Sequence, residues 1–420
     1  MKTIDGYDVV VAGGGPGGLP AAVAAARAGA RTLLLEREGC LGGGATTMLI
    51  HPFMSHETKP GPGGEPRKVV NAGIFKEICD RLAARNAQWY VHWGIHFDDE
   101  LIRVVLDELA ADAGVDVIFH ASLFDVEIAG GRVVAATFAH NSGPLRVTGK
   151  VFVDSTGDSL LAAQAGCECV YGDGHGHAQP MTLNFMVAGV DSEHMDHAGM
   201  YRLAAAGASD EPPLININIS CHTVPHPGMV HFNAIRVPRD TLDAASLSAA
   251  EMDARHRVDN FVQWLRAKVP CFENCYLIKT GAHIGIRESR HVMGDYLLTG
   301  DDFRRGAKFD DGIACCSYEV DIHPPTPGKA TFEHLPPGDY YQIPYRCLTP
   351  RGMENLLVAS RGISGDHVVH ASFRVMPPVM CIGQAAGIAA AMSLPAGRVR
   401  DIDVQALRQS IRAAGGVLEA

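Results

Sequence analysis

None of the eleven cysteines in this sequence forms a CxxC pair: Cys167 and Cys169 are two apart, Cys271 and Cys275 four apart, and Cys315 and Cys316 adjacent. That spacing offers no zinc site, and free thiols in a reducing cytoplasm are the expected state. No window reaches the roughly 18 apolar residues that span a bilayer, so no membrane partner is expected. The apolar stretches Val9–Ala12 and Leu19–Ala26 are divided by Gly-Gly-Gly-Pro-Gly-Gly and preceded by Asp8, which argues against a signal peptide. Basic runs interleaved with aromatics are missing, and the formal charge is 36 − 47 = −11, so nucleic acid is not an expected partner. There is no internal repeat or low-complexity tract. At 420 residues, 47% hydrophobic and 20% charged, the chain is long enough for two globular domains.

Glycine is what the chain has in quantity, 46 residues gathered at a few points. The first cluster follows a short apolar strand, Tyr7–Ala12, and opens an alanine-rich helix, Pro16–Ala28, with a second strand at Arg31–Leu35. Gly13, Gly15 and Gly18 match GxGxxG, with Pro16 and Gly17 inside the motif. The first glycine permits the tight turn, the second lets backbone N–H groups approach a pyrophosphate, and the third lets helix and strand pack closely. The helix N-terminus adds partial positive charge for the phosphates. Glu36 ends the second strand where a carboxylate would accept ribose hydroxyls, with Arg37 beside it. The motif alone is weak; strand, helix, strand and acid together point to a dinucleotide.

Further along, Ile74–Arg85 and Asp98–Ala113 have helical spacing, and Val115–Phe119 reads as a buried strand. The period then changes to two. Phe124–Ile128, Val133–Phe138 and Leu145–Val147 form a meander with turns at Gly130-Gly131 and Asn141-Ser142-Gly143, and a separate strand is expected at Val151–Asp154. Residues 181–344 mix strands such as Leu183–Val187 and Met229–Phe232 with a helix at Ala249–Lys268. The expected fold is therefore α/β. A Rossmann-like domain, a parallel sheet with a β-meander, takes residues 1–180 and 345–420. A second, α+β substrate or cap domain takes 181–344.

Four more segments carry a family resemblance. They are Cys40-Leu41-Gly42-Gly43-Gly44-Ala45-Thr46, Val153-Asp154-Ser155-Thr156-Gly157-Asp158, Ile284-Gly285-Ile286-Arg287-Glu288-Ser289-Arg290, and the stretch from Asn355 through Arg361 to Gly383-Gln384-Ala385-Ala386-Gly387. With the fingerprint they resemble the FAD-dependent oxidoreductases of the glutathione-reductase-like fold; Ser360 departs from the glycine more usual there. The resemblance implies FAD, held by Gly13, Gly15, Pro16, Gly17, Gly18, Glu36, Arg37, Gly43, Gly44, Ala45, Thr46, Thr156, Gly157, Asp158, Arg361, Asp366 and Gln384. Asp366, after Gly365, corresponds to the fold's Gly-Asp pair on a ribityl hydroxyl. Pro377 and Pro378 suit a helix first turn, and that helix's N-terminus would stabilise charge on a reduced flavin.

No second GxGxxG follows a strand, so an external electron acceptor or donor is expected in place of a built-in nicotinamide domain. For catalysis, Arg287 and Arg290 are candidates to clamp a carboxylate, or are ordinary ion-pair residues. His323 is a candidate proton carrier, or a hydrogen-bonded structural histidine. The resemblance sets Tyr345 and Arg346 near the flavin ring. Cys40 is a redox thiol, a flavin attachment point or a packing residue. The expected function is an FAD-dependent dehydrogenase or reductase moving a hydride at N5 to or from a small-molecule substrate. The alternatives are a flavoprotein isomerase or hydratase without net redox turnover, or a flavin-binding module of the tRNA-modifying kind. No metal is expected, and a homo-oligomer is left open.

Overall fold

The computed structural model describes residues 2–91, 94–196, 220–224, 226–324 and 330–420. The N-terminal βαβ unit forms as the apolar pattern requires. Strand Lys2–Ala12 leads into helix Gly18–Arg27, and strand Thr32–Leu35 returns parallel to the first, with Val9 opposite Thr32 and Ala12 opposite Leu35. Asp116–Ile118 extends the parallel sheet beyond Thr32–Leu35. On the other side runs Leu145–Asp154, parallel to the whole length of Lys2–Ala12.

That last strand differs from expectation. Leu145–Val147 and Val151–Asp154 are one element of ten residues. Gly149 and Lys150 look like a break in the sequence, but Gly149 lies opposite Tyr7, where the ladder slips between Ile4 and Tyr7, so the irregularity is absorbed within the pairing. The strand also forks. Its first half pairs antiparallel with Arg132–Ala139 in the meander, whose outer strand is Ser122–Ala129. Its last residues, Phe152–Asp154, pair parallel with Leu356–Val358. Buried Asn355 fills the fork: its Oδ1 accepts from the Val133 N–H (2.8 Å), and its Nδ2 donates to the carbonyls of Val133 and Lys150 (both 3.0 Å). Backbone groups stranded where two sheets part are thereby paired.

Strands Gln88–Val91 and Gly94–Phe97 fall between the two expected helices, and Phe53–Met54 pairs with the latter. A second sheet is antiparallel, in the order Ser220–Thr223, Val230–Val237, Met181–Ala188, Tyr276–Thr280. Helix Ala244–Lys268 lies against it and buries Ala250, Ala254, Val258, Phe261, Val262 and Leu265. It starts earlier than its apolar spacing suggests because Asp243 caps it, accepting from the Ser246 N–H (2.7 Å). Phe185, Phe232 and Phe261 form the centre of this second core. That core draws on Met181 to Ile284. Leu298, Phe303, Ile313, Val320 and Tyr341, placed by sequence in the second domain, pack in the larger first core instead.

Helix Met376–Met392, with prolines in its first turn, lies across Gly18–Arg27. The helices meet backbone to backbone. A Cβ on Gly383 would stand 2.1 Å from the Gly17 carbonyl oxygen, and one on Gly387 would stand 2.0 Å from that of Ala21. Among the described residues no single helix is long and apolar enough to cross a membrane.

Gly387→Ala is therefore expected to force the two helices apart and lower the unfolding free energy by about 1–3 kcal/mol, the usual range for overpacking. Urea denaturation tests this through a lower midpoint at unchanged slope. An unchanged midpoint would show that the helices are not in contact there.

Candidate functional site

A single cavity of about 1160 Å³ runs from the Gly13–Gly18 turn to the inner face of the second sheet. At the turn the three fingerprint glycines do different work. Gly13 has φ of 97°, and a Cβ there would stand 2.3 Å from the Ser155 carbonyl oxygen. Gly18 packs against the Gly13 carbonyl and does not line the cavity; its Cβ would be 1.7 Å from that oxygen. Gly15 lines the cavity with nothing within 4 Å of its Cβ position. The following helix has no acidic residue in its first turn and no side-chain cap; the Leu19 and Ala21 N–H groups go to the Gly15 and Gly17 carbonyls (3.2 and 3.1 Å) and Pro20 has none, so what the helix offers an anion is the positive end of its dipole.

Glu36 is on the cavity wall and buried, and its carboxylate accepts from the N–H groups of Gly14 (2.5 Å) and Glu38 (2.9 Å). It shapes the turn as well as facing the cavity. Arg37 also lines it, with Nε 3.0 Å from Glu38 and Nη2 3.3 Å from the His283 ring. Gly43 and Gly44 line the cavity beside the turn, the Cβ position of Gly43 lying 3.1 Å from the Gly15 Cα. Ala45 and Thr46 do not reach the cavity; Thr46 Oγ1 donates to the Leu41 carbonyl (2.7 Å) and braces the loop. Cys40, 3.7 Å from Thr46 Oγ1, is likewise off the cavity, and burial pushes its thiol pKa up.

Thr156, Gly157 and Asp158 line the middle of the cavity. Fully buried Asp154 fixes them, accepting from the N–H (2.9 Å) and Oγ1 (2.7 Å) of Thr156 and from the Ala162 N–H (2.8 Å). Asp158 pairs with Arg361 (2.5 Å) and accepts from Ser289 Oγ (2.7 Å), while its carbonyl accepts from Arg290 (3.1 Å). Arg290 thus ties the second region to this loop. Helix Met376–Met392 presents its start to the same space through Met376 and Val379, again with no side-chain cap.

Four further expected residues lie elsewhere. Asp366 caps helix His367–Phe373, accepting from the N–H groups of Val369 (2.8 Å) and Gly300 (2.9 Å), and does not line the cavity. Gln384 accepts from the Ile74 N–H (2.8 Å) and donates to the Ala414 carbonyl (3.0 Å), joining three segments behind the cavity. Tyr345 is buried with its hydroxyl donated to the Val399 carbonyl (2.6 Å), and Arg346 pairs outside with Asp311 (2.9 Å).

At the far end, Arg287 donates to the Pro180 carbonyl (3.0 Å), Thr182 Oγ1 and Asn233 Oδ1 (3.4 Å). His323 has its Nε2 3.0 Å from Asp321 Oδ1, and its Nδ1 has no hydrogen-bond partner among the described residues. Burial lowers the His323 pKa to about 4 despite that carboxylate. Burial opposes ionisation of Asp321 too, but the His323 hydrogen bond and the Arg374 charge hold it well below the usual carboxylate range. Arg236, Arg374, Asp321 and Tyr318 complete this end; none stood out in the sequence. Arg374 could have been found, since it directly precedes Val375, the cap of the proline-started helix. Behind Arg287 lies a buried cluster in which Glu288 accepts from His291 (3.0 Å) and His367 (2.8 Å), with His370 at 3.7 Å.

A family model described as FAD dependent oxidoreductase matches residues 8–411. The chain is 29% identical over 177 residues to a digeranylgeranylglycerophospholipid reductase of Thermoplasma volcanium, spanning 39% of this chain and 43% of that one. It is 32% identical over 164 residues to a thiamine thiazole synthase of Saccharolobus islandicus, spanning 36% and 54%. The matched stretches are thus about half the length of these curated relatives. Among solved structures, a geranylgeranyl bacteriochlorophyll reductase-like protein of Thermoplasma acidophilum aligns with a TM-score of 0.46 at 14% identity, covering 98% of this chain and 83% of that one.

Gly15→Val is expected to abolish FAD binding without unfolding the protein, because the new side chain points into open cavity and not into neighbouring atoms. Flavin absorbance of the purified, folded variant is the measurement. Full FAD content would show that phosphates do not lie against Gly15.

Proposed function

The chain belongs to the FAD dependent oxidoreductase family, and from that membership we propose that it is a dehydrogenase or reductase acting on a small organic substrate by hydride transfer. Its main support is that two helix N-termini without side-chain caps, Gly18–Arg27 and Met376–Met392, open into one cavity whose far end holds the Asp321–His323 pair. The donor set fits FAD. Open Gly15 and the first helix suit a pyrophosphate, Glu36 suits ribose hydroxyls, and Arg361 with Thr156–Asp158 lines the path between the two helix starts. Bound there, FAD supplies hydride exchange at N5, the chemistry that no protein side chain provides.

The chain's own residues then have definable tasks. The start of Met376–Met392 and the Arg374 guanidinium stabilise negative charge at the nearby end of the cavity. Asp321 Oδ1 stands 3.0 Å from His323 Nε2, a placement that favours the proton on Nε2 and leaves Nδ1 as the basic nitrogen. With its pKa lowered by burial, His323 is neutral at pH 7, so Nδ1 is available to accept the proton that a substrate hydroxyl releases as hydride leaves the adjacent carbon. Asp321 would stabilise the imidazolium so formed. Arg287, held by three acceptors, is a fixed positive charge beside them. Arg290 positions the Asp158 loop. The electron acceptor or donor comes from outside, in keeping with a single dinucleotide fingerprint.

Removing this base in His323→Ala is expected to slow substrate-driven flavin reduction by about 100- to 10,000-fold while FAD stays bound. Anaerobic stopped-flow mixing with candidate substrates measures it. Bleaching of the wild-type flavin supports net redox, and product without bleaching would replace this proposal by isomerisation. Wild-type reduction rates in the variant would remove His323 from the reaction.

A further inference from the structure

Three arginines from distant parts of the chain meet on one cavity wall. Arg236 comes from strand Val230–Val237, Arg287 from the segment after Ile284, and Arg374 from the end of helix His367–Phe373. Arg236 is only 7% exposed, and its guanidinium has no hydrogen bond or ion pair among the described residues. Arg374 donates to the Asp321 carbonyl (3.1 Å) and carboxylate (3.4 Å), yet its buried Nε is unpartnered. With His323 Nδ1, that makes three unpartnered buried nitrogens on the same wall. Buried polar groups in folded proteins are nearly always satisfied, and a group of exceptions lining a cavity calls for a ligand.

The charges point the same way. Three guanidiniums face one carboxylate, Asp321, so the wall keeps an excess of 3 − 1 = 2 positive charges while His323 is neutral. Glu319, also on the cavity, is engaged by Lys59 (3.6 Å) and His334 (2.9 Å). Burial lowers the Arg236 pKa to about 10 and that of Arg287 well below its usual value; Arg374 adds to both effects, Arg236 adds to the second, and Asp321 opposes both. An arrangement that disfavours its own charges needs a counter-charge from outside.

We infer that this wall binds a small organic dianion, with Arg236 as its principal anchor, and that the dianion is the substrate of the reaction proposed above. The assignment as substrate rests on that proposal; the anion site itself does not. The FAD pyrophosphate is an unsuitable occupant, since its site is the glycine turn at the other end of the cavity. A free guanidinium fork matches a carboxylate or a phosphate in bidentate fashion. Two carboxylates or one phosphomonoester carry the required charge. An anion held by Arg236 shares its wall with His323 Nδ1, so a carbon or hydroxyl next to the anionic group is the part offered to the base.

The test uses FAD-loaded protein and the probes succinate, inorganic phosphate and acetate at constant ionic strength, read by thermal melting and calorimetric titration. Succinate or phosphate is expected to bind and raise Tm, and acetate to do so far less. Succinate alone assigns two carboxylates, and phosphate alone a phosphomonoester. Arg236→Met is expected to weaken the dianion about 10- to 100-fold, the usual worth of a charged hydrogen-bonded contact. Arg236→Lys, which keeps the charge without the fork, should fall between. Without any anion, Arg236→Met should melt higher than wild type, because an unpaired buried charge has been removed. Failure of both dianions to bind, or wild-type affinity in Arg236→Met, would overturn the inference. So would a lower Tm in that variant, which would mark Arg236 as structural, or loss of its FAD, which would assign Arg236 to the cofactor. A wild-type protein that binds no FAD would instead count against the oxidoreductase proposal, and the anion titration would stand apart from it.

Discussion

Backbone meets backbone where the glycine turn, the Ser155 segment, the Ala359 carbonyl and helix Met376–Met392 converge, and the cofactor half of the molecule is built around that contact. A Cβ on Gly17 would lie 1.8 Å from the Ala359 carbonyl oxygen. Side chains at these points would separate the two helices by the width of a methyl group or more, and the loss would be in dispersion as well as in geometry. Close approach is also what brings two helix N-termini to one cavity. Each brings its own partial positive charge to that cavity.

The parts of the site that were legible in the sequence are those in which neighbouring residues work together. Gly13, Gly15, Glu36 and the Thr156–Asp158 run each announce themselves by short spacing, and all line the cavity. Asp366 shows where such spacing misleads. A Gly-Asp pair before a helix is compatible with a ligand contact and with a helix cap, and here the orphan N–H groups of His367–Phe373 and of Gly300 have taken the carboxylate. Gln384 and Tyr345 were drawn in by the motifs around them, yet their polar ends satisfy buried backbone groups behind the cavity. Of the arginine wall only Arg287 was legible, as a candidate carboxylate clamp; that Arg236 and Arg374 join it was not. Arg236, Arg287 and Arg374 belong to a strand, a loop and a helix end, and only the packing of the second sheet over the first core puts their charges together.

The strand fork was hidden for a similar reason. Gly149-Lys150 reads locally as an interruption, and only the partner strand, with its own slip at Ile4–Tyr7, makes one continuous ladder. The wall also contrasts with the molecule as a whole. The chain carries a net −11, which acts on a small anion across the solvent but is screened within about 8–10 Å at ordinary salt. Inside the cavity the guanidiniums are buried and little screened, so the local sign prevails over the global one. Attraction there is short-ranged and depends on fit, which favours selection among anions over speed of capture.

The contact between Gly17 and Gly383 joins residues 366 positions apart (383 − 17 = 366). A ribosome adding 5–20 residues per second needs roughly 20–75 s to cover that distance. For that interval the alanine-rich face of the first helix has emerged without the helix that will cover it, and the nascent glycine turn has no complete binding site. Completion of the cofactor site is thereby tied to synthesis through Met392, so cofactor capture waits until that helix has been made.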